Sequence, residues 1–75
     1  MQMQPIKSSN IESAGHDPVN NILRVRFGNG TEYDYKNVDV RTFAEFMSAE
    51  SQGKFYHKNI KSKLTGTKVE TAKEM

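Results

Sequence analysis

The clearest periodicity in the chain lies in "ILRVRFGNGTEYDY", residues 22–35. Leu23, Val25 and Phe27 alternate with Arg24 and Arg26, and Thr31, Tyr33 and Tyr35 alternate with Glu32 and Asp34. Alternation with period two marks a half-buried strand, so the stretch predicts two strands joined by a tight turn in "GNG". The flanking residues also fix the length of that turn. A two-residue loop of Asn29 and Gly30 sets Phe27 against Glu32 and Arg26 against Tyr33, which mixes the two faces. A three-residue loop over residues 28–30 pairs Phe27 with Thr31, Arg26 with Glu32, Val25 with Tyr33, Arg24 with Asp34 and Leu23 with Tyr35. Apolar then meets apolar and each charge meets its opposite, each pair contributing roughly 0.2–1 kcal/mol. Gly30 suits the left-handed position that closes such a loop.

Upstream, "SNIESAGHD" predicts a shorter strand over residues 11–16, ended by the turn-forming "DPVNN". Downstream, in "DVRTFAEFMSAE", Val40, Phe43, Ala44 and Met47 fall at i, i+3, i+4 and i+7, one stripe of a helix capped by Asp39. A second helix follows a Ser51 cap, with Tyr56, Ile60 and Leu64 on its apolar side and Phe55 at the edge of that stripe. The expected fold is α+β: a three-stranded antiparallel β-meander followed by two short helices packed on the sheet. The expected domain covers residues 8–64, between flexible tails at 1–7 and 65–75 that carry no sustained apolar pattern. Phe43 and Ile60 are expected in the core, and most of the aromatic residues are expected to be buried, with Phe46 and Tyr56 partly exposed.

Composition narrows the picture. Seventy-five residues without a cysteine form one small domain with neither a disulfide nor a thiolate metal site, so aromatic and aliphatic packing, or self-association, must hold it. No apolar run is long enough to cross a membrane, and the first residues lack a signal-peptide pattern. A cytoplasmic location is expected, in keeping with the absence of cysteine.

The net charge of +2 names no partner, but its distribution is uneven. Residues 51–68 hold Lys54, Lys58, Lys61, Lys63 and Lys68 and no acid, which leaves the remainder of the chain net negative. On an α-helix Lys54, Lys58 and Lys61 share one narrow sector, with His57 beside them. Such a face is either simply solvated or built to meet a polyanion. Ser51 and Gly53 carry the same two alternatives. They form a helix start with free N–H groups and no obstructing side chain, suited to phosphate, or a cap and a close helix–helix corner.

Signals for catalysis are weak. His16 and His57 lie in different elements without a nucleophile or carboxylate at a diagnostic spacing. Glu32 and Asp34 face arginines, and "GNG" opens a strand where a phosphate cradle opens a helix. No catalytic residue, metal site or cofactor is expected, and the chain is not expected to be an enzyme. The aromatic residues could stack on bases, but in so small a domain they are more simply its core.

Taken in order, Ser9, Ile11, Leu23, Val25, Phe27, Gly30, Tyr33, Tyr35, Val38 and "AESQGKFYHKNIK" resemble the KTSC domain family, whose Ala-x-Ser-x-Gly-x-aromatic run is followed by Ile-Lys. The resemblance covers residues 8–64. KTSC domains occur at the C-terminus of some lysyl-tRNA synthetases and as short proteins of bacteria and phages. Two positions depart from the family pattern: His16 stands where an aromatic is favoured, and Asp39 where proline is. The resemblance implies a compact meander with two helices and, through the synthetase context, a link to tRNA or other RNA. With the weak signals for catalysis, the expected function is a small non-enzymatic binding module. The residues expected to carry binding are Ser51, Gly53, Lys54, His57, Lys58, Lys61 and Lys63. The alternative is a protein–protein adaptor, such as a phage product that docks on a host protein.

Overall fold

The computed structural model describes residues 1–69. Five antiparallel strands stand side by side in chain order: β1 (Gln4–Pro5), β2 (Ile11–Asp17), β3 (Ile22–Phe27), β4 (Glu32–Tyr35) and β5 (Gly66–Lys68). Between β4 and β5 the chain leaves the sheet to form α1 (Val40–Met47) and α2 (Gln52–Phe55), and α2 widens into a π-helical segment, Tyr56–Lys61. No helix among the described residues is long and apolar enough to cross a membrane.

The β3–β4 hairpin has the register expected from its charges. Leu23 pairs with Tyr35, Arg24 with Asp34, Val25 with Tyr33 and Arg26 with Glu32. The Phe27 N–H donates to the Thr31 carbonyl, and Gly30 closes the loop at φ 90°, where a side chain would be strained. Both ion pairs form. Arg24 grips Asp34 through two bonds of 2.7 and 3.0 Å, and Arg26 Nε donates to Glu32 at 2.6 Å. On the other face of the same strands, Leu23 and Val25 are fully buried and Tyr35 nearly so. β2 adds Ile11 and Ala14 to this apolar face, after a bulge at the step from Ile11 to Ser13. The "DPVNN" turn follows, held by Asp17, which accepts from the Val19 and Asn20 N–H groups, and by Asn21 at φ 55°.

Among the described residues the sheet has five strands where the alternation predicts three. Both additional strands lie in segments expected to be tails. β1 is two residues long and includes a proline; β5 is three residues, two of them exposed. Neither buries an alternating set of side chains, so backbone pairing alone defines them, and hydrophobic periodicity cannot detect them. Ile6, next to β1, is nonetheless buried, and its N–H donates to the Glu12 carbonyl. In β5, Gly66 lies against the Tyr35 ring so closely that a Cβ there would stand 2.7 Å from ring carbons. Residues 70–75 of the expected C-terminal tail lie outside the described residues.

The helical layer covers the apolar face. Asp39 caps α1, accepting the Thr42 N–H at 2.9 Å. The buried side of α1 differs from the predicted stripe. Phe46 is fully buried, stacked on Phe55 with ring centroids 5.7 Å apart, while Val40 and Ala44 are exposed and Phe43 and Met47 are half-buried. Val40 occupies the first turn, and Ala44 has too little surface to compete with a phenyl ring for the interface. Tyr56, on the apolar side of its helix but expected to be partly exposed, is buried with Ile60. Phe43 stacks on His16 at 5.2 Å and 15°, and the His16 Nε2–H donates to the Val38 carbonyl. His16 thus fills the place of an aromatic residue, with a hydrogen bond in addition.

The rotation of α1 is directly testable. Phe46→Ala is expected to lower stability by about 3–5 kcal/mol, whereas Val40→Ala should stay within about 0.5 kcal/mol of the parent. Urea denaturation followed by circular dichroism measures both, and comparable losses would place the buried face where the stripe of Val40 and Ala44 predicts it.

Candidate functional site

The cationic segment meets the other end of the chain. The loop between β1 and β2, residues 7–10 ("KSSN"), faces the start of α2 across a groove of about 550 Å³. Gln52 holds the two walls together. Its side chain is buried; Oε1 accepts the Lys7 N–H at 2.8 Å, and Nε2 donates to the Met47 carbonyl at 2.9 Å. The far end of the loop is pinned to the sheet, where the Gly28 N–H donates to the Asn10 carbonyl at 2.9 Å. Gly53 allows the close approach. A Cβ there would stand 3.2 Å from Ser8 Oγ, so Gly53 seats the loop, not a helix–helix corner.

Ser51 is a cap: its hydroxyl accepts the Lys54 N–H at 3.4 Å. The α-helical turn that follows, Gln52–Phe55, runs on without a break into the π-helical segment Tyr56–Lys61. The full charges of the site are carried by its lysine side chains.

Those side chains are arranged differently from an ideal α-helix. In the wider π-helical turn each residue advances by a smaller angle, so Lys61 falls back toward the side of Tyr56. Lys54, His57 and Lys61 line the groove, joined by Lys7 from the opposite wall. Lys58 is exposed and off the groove, and Lys63 lines a separate hollow with Asn37, Thr42 and Glu45. Of the seven residues proposed from sequence, the groove gathers Ser51, Gly53, Lys54, His57 and Lys61 and leaves Lys58 and Lys63 outside. Sequence reasoning missed Lys7, Ser8, Ser9 and Asn10, because nothing local connects "KSSN" with a helix more than forty positions later. Among the described residues the groove is lined by no acid, and the three ion pairs use only Arg24, Arg26 and Arg41 as cations.

The floor is aromatic. Tyr56 makes T-shaped contacts with Phe27 at 5.7 Å and with Tyr35 at 5.9 Å, and its hydroxyl is hydrogen-bonded to that of Tyr35. This buried pair ties the helical layer to the sheet directly beneath the lysines.

The chain matches the KTSC domain model over residues 7–63. It belongs to the KTSC domain family. A crystal structure of a KTSC domain protein from Yersinia pestis superposes with a TM-score of 0.83 at 41% identity, covering 92% of this chain and 97% of that one. A protein of Tsukamurella paurometabola is 43% identical over 62 residues, 83% of this chain and 92% of the relative. A protein of Stutzerimonas stutzeri is 31% identical over 61 residues, 81% of this chain and 86% of the relative. The KTSC match begins at Lys7, so it includes the loop wall of the groove as well as the helical one.

The tyrosine pair gives this KTSC domain a dependence on alkaline pH. Burial, and then the hydrogen bond to Tyr35, hold the Tyr56 phenol well above its ordinary range. The folded chain therefore keeps a proton that the unfolded chain releases above about pH 10. Stability from Tyr56 is full below that pH and declines as pH rises toward the raised value. Urea midpoints measured across this range should fall with pH in the parent and fall less in Tyr56→Phe; parallel declines would mean that Tyr56 titrates like an exposed tyrosine.

Proposed function

We propose that this KTSC domain is a non-enzymatic binding module whose groove meets a polyanion, RNA foremost. The observation that carries this reading is the convergence of Lys7, Lys54 and Lys61, with His57, on one groove free of acids among the described residues. Lysine ammonium groups on flexible stems suit phosphate as point charges and impose little geometry, so they favour a backbone over a particular sequence. Anchoring the walls through Gln52 and Gly28 holds in place the backbone from which the lysines project, which reduces the ordering cost of binding. The family's occurrence at the end of lysyl-tRNA synthetases supports RNA over other polyanions. Contacts of this kind give a dissociation constant of about 10⁻⁴–10⁻⁶ M at physiological salt.

A salt titration of binding to an unstructured RNA and to a folded tRNA tests the reading. Three phosphate contacts predict that log K falls with log salt with a slope of roughly 2–3. The triple variant Lys7→Gln, Lys54→Gln, Lys61→Gln should flatten that slope and keep its melting temperature, since all three side chains are exposed. The double variant Lys58→Gln, Lys63→Gln should bind like the parent. Absence of binding to either RNA at low salt would remove the proposal, and equal losses in the two variants would replace the groove by a diffuse cationic face.

A further inference from the structure

Phe27 ends β3 and is half-buried, yet it lines three adjoining hollows. One is the lysine-rimmed groove. A second, of about 440 Å³, lies between Asn10 and the "GNG" turn. The third, of about 310 Å³, lies between Tyr33 and Gly66. Lys61 and Tyr56 line the third hollow as well as the groove. The ring is braced by T-shaped contacts with Tyr33 at 6.0 Å and Tyr56 at 5.7 Å, so it stands as a fixed apolar surface. Among the described residues, no acid lines any of the three hollows.

We infer that Phe27 is a stacking platform for an unpaired nucleobase, and that the groove takes a single-stranded segment with its phosphates among Lys7, Lys54 and Lys61. The inference rests on the polyanion reading and narrows it from nucleic acid in general to unpaired strands. A phosphate site alone needs no aromatic floor, and Phe27, although packed against the core, also borders all three hollows. A rigid ring beside positive charges is the combination by which single strands are held, because every base has a face to stack while a base in a duplex has none free. Ser9 and Asn10 add a hydroxyl and an amide at the same opening, suited to a base edge. The groove lies within the size range of about 300–1,000 Å³ that accommodates a small molecule or a nucleotide unit.

The test uses the full chain and four probes: a single-stranded RNA octamer, the same octamer with its bases removed, the corresponding duplex, and a poly-glutamate peptide of equal charge. The intact strand is expected to bind more tightly than the abasic one by roughly fivefold to 140-fold, the effect of one stacked base. Phe27→Leu is expected to abolish that ratio while leaving the salt slope unchanged, and circular dichroism checks that the variant folds. Should it not fold, 2-aminopurine placed singly along the octamer gives the same information with the unaltered protein, since a stacked base changes its fluorescence. Equal binding of intact and abasic strands would overturn the platform and leave the polyanion reading standing. Duplex binding as tight as the single strand would overturn it as well. Peptide binding as tight as that of the octamer would mark the groove as a site for acidic protein segments. If no nucleic acid binds at low salt, both readings fall together.

Discussion

The register of the β3–β4 hairpin is the constraint on which the other features depend. A slip of one residue would send every side chain of one strand to the opposite face. Phe27, Val25 and Leu23 would then oppose charges, and Tyr33 and Tyr35 would leave the helical layer without a floor. The paired residues resist such a slip from both sides of the sheet. Arg24 and Arg26 meet Asp34 and Glu32 on one face, while the apolar ladder meets itself on the other. The ion pairs are partly solvated and add little net stability, so their main effect is on specificity. Once the register is set, Tyr35 reaches Tyr56, the helical layer is anchored, and Phe27 arrives at the margin of the groove.

That hairpin was legible in the sequence because all of its determinants are local. Alternation, opposite charges and a glycine at the closing position lie within fourteen consecutive residues. The Asp39 and Ser51 caps were legible for the same reason. The rotation of α1 was not. Its apolar residues allow a stripe through Val40 and Ala44 or one through Phe43, Phe46 and Met47, and the choice depends on Phe55, which lies outside the helix. The edge strands were invisible because their pairing involves backbone groups and almost no buried side chains. In the site, the helical lysines were visible, but their sorting was not. A π-helical turn separates Lys61 from Lys58, and a loop near the N-terminus supplies Lys7. Neither contact leaves a periodic trace.

The two departures from the family pattern have physical resolutions in the fold. Asp39 replaces the fixed backbone of a proline with a carboxylate that accepts a first-turn N–H, an equally good helix start. His16 replaces an aromatic ring with one that stacks on Phe43 and also donates to the Val38 carbonyl, joining β2 to the entry of α1. Both substitutions keep the helical layer in position over the sheet, and both lie away from the groove. The groove, by contrast, is built on Lys7, Gly53 and Gln52.

The Gln52 clasp makes occupancy and order dependent on one another. It joins residues 45 positions apart, one near each end of the family match. A chain whose first strand has peeled from the sheet has only half of the groove, and so does a nascent chain that has not yet delivered its second helix. An occupant that touches both walls therefore binds the native state alone and shifts the folding equilibrium by mass action. At a hundred times its dissociation constant, such a ligand adds about 2.7 kcal/mol. In a domain with no disulfide, that is comparable to a buried core side chain. Binding of such an occupant and completion of the fold would then reinforce each other.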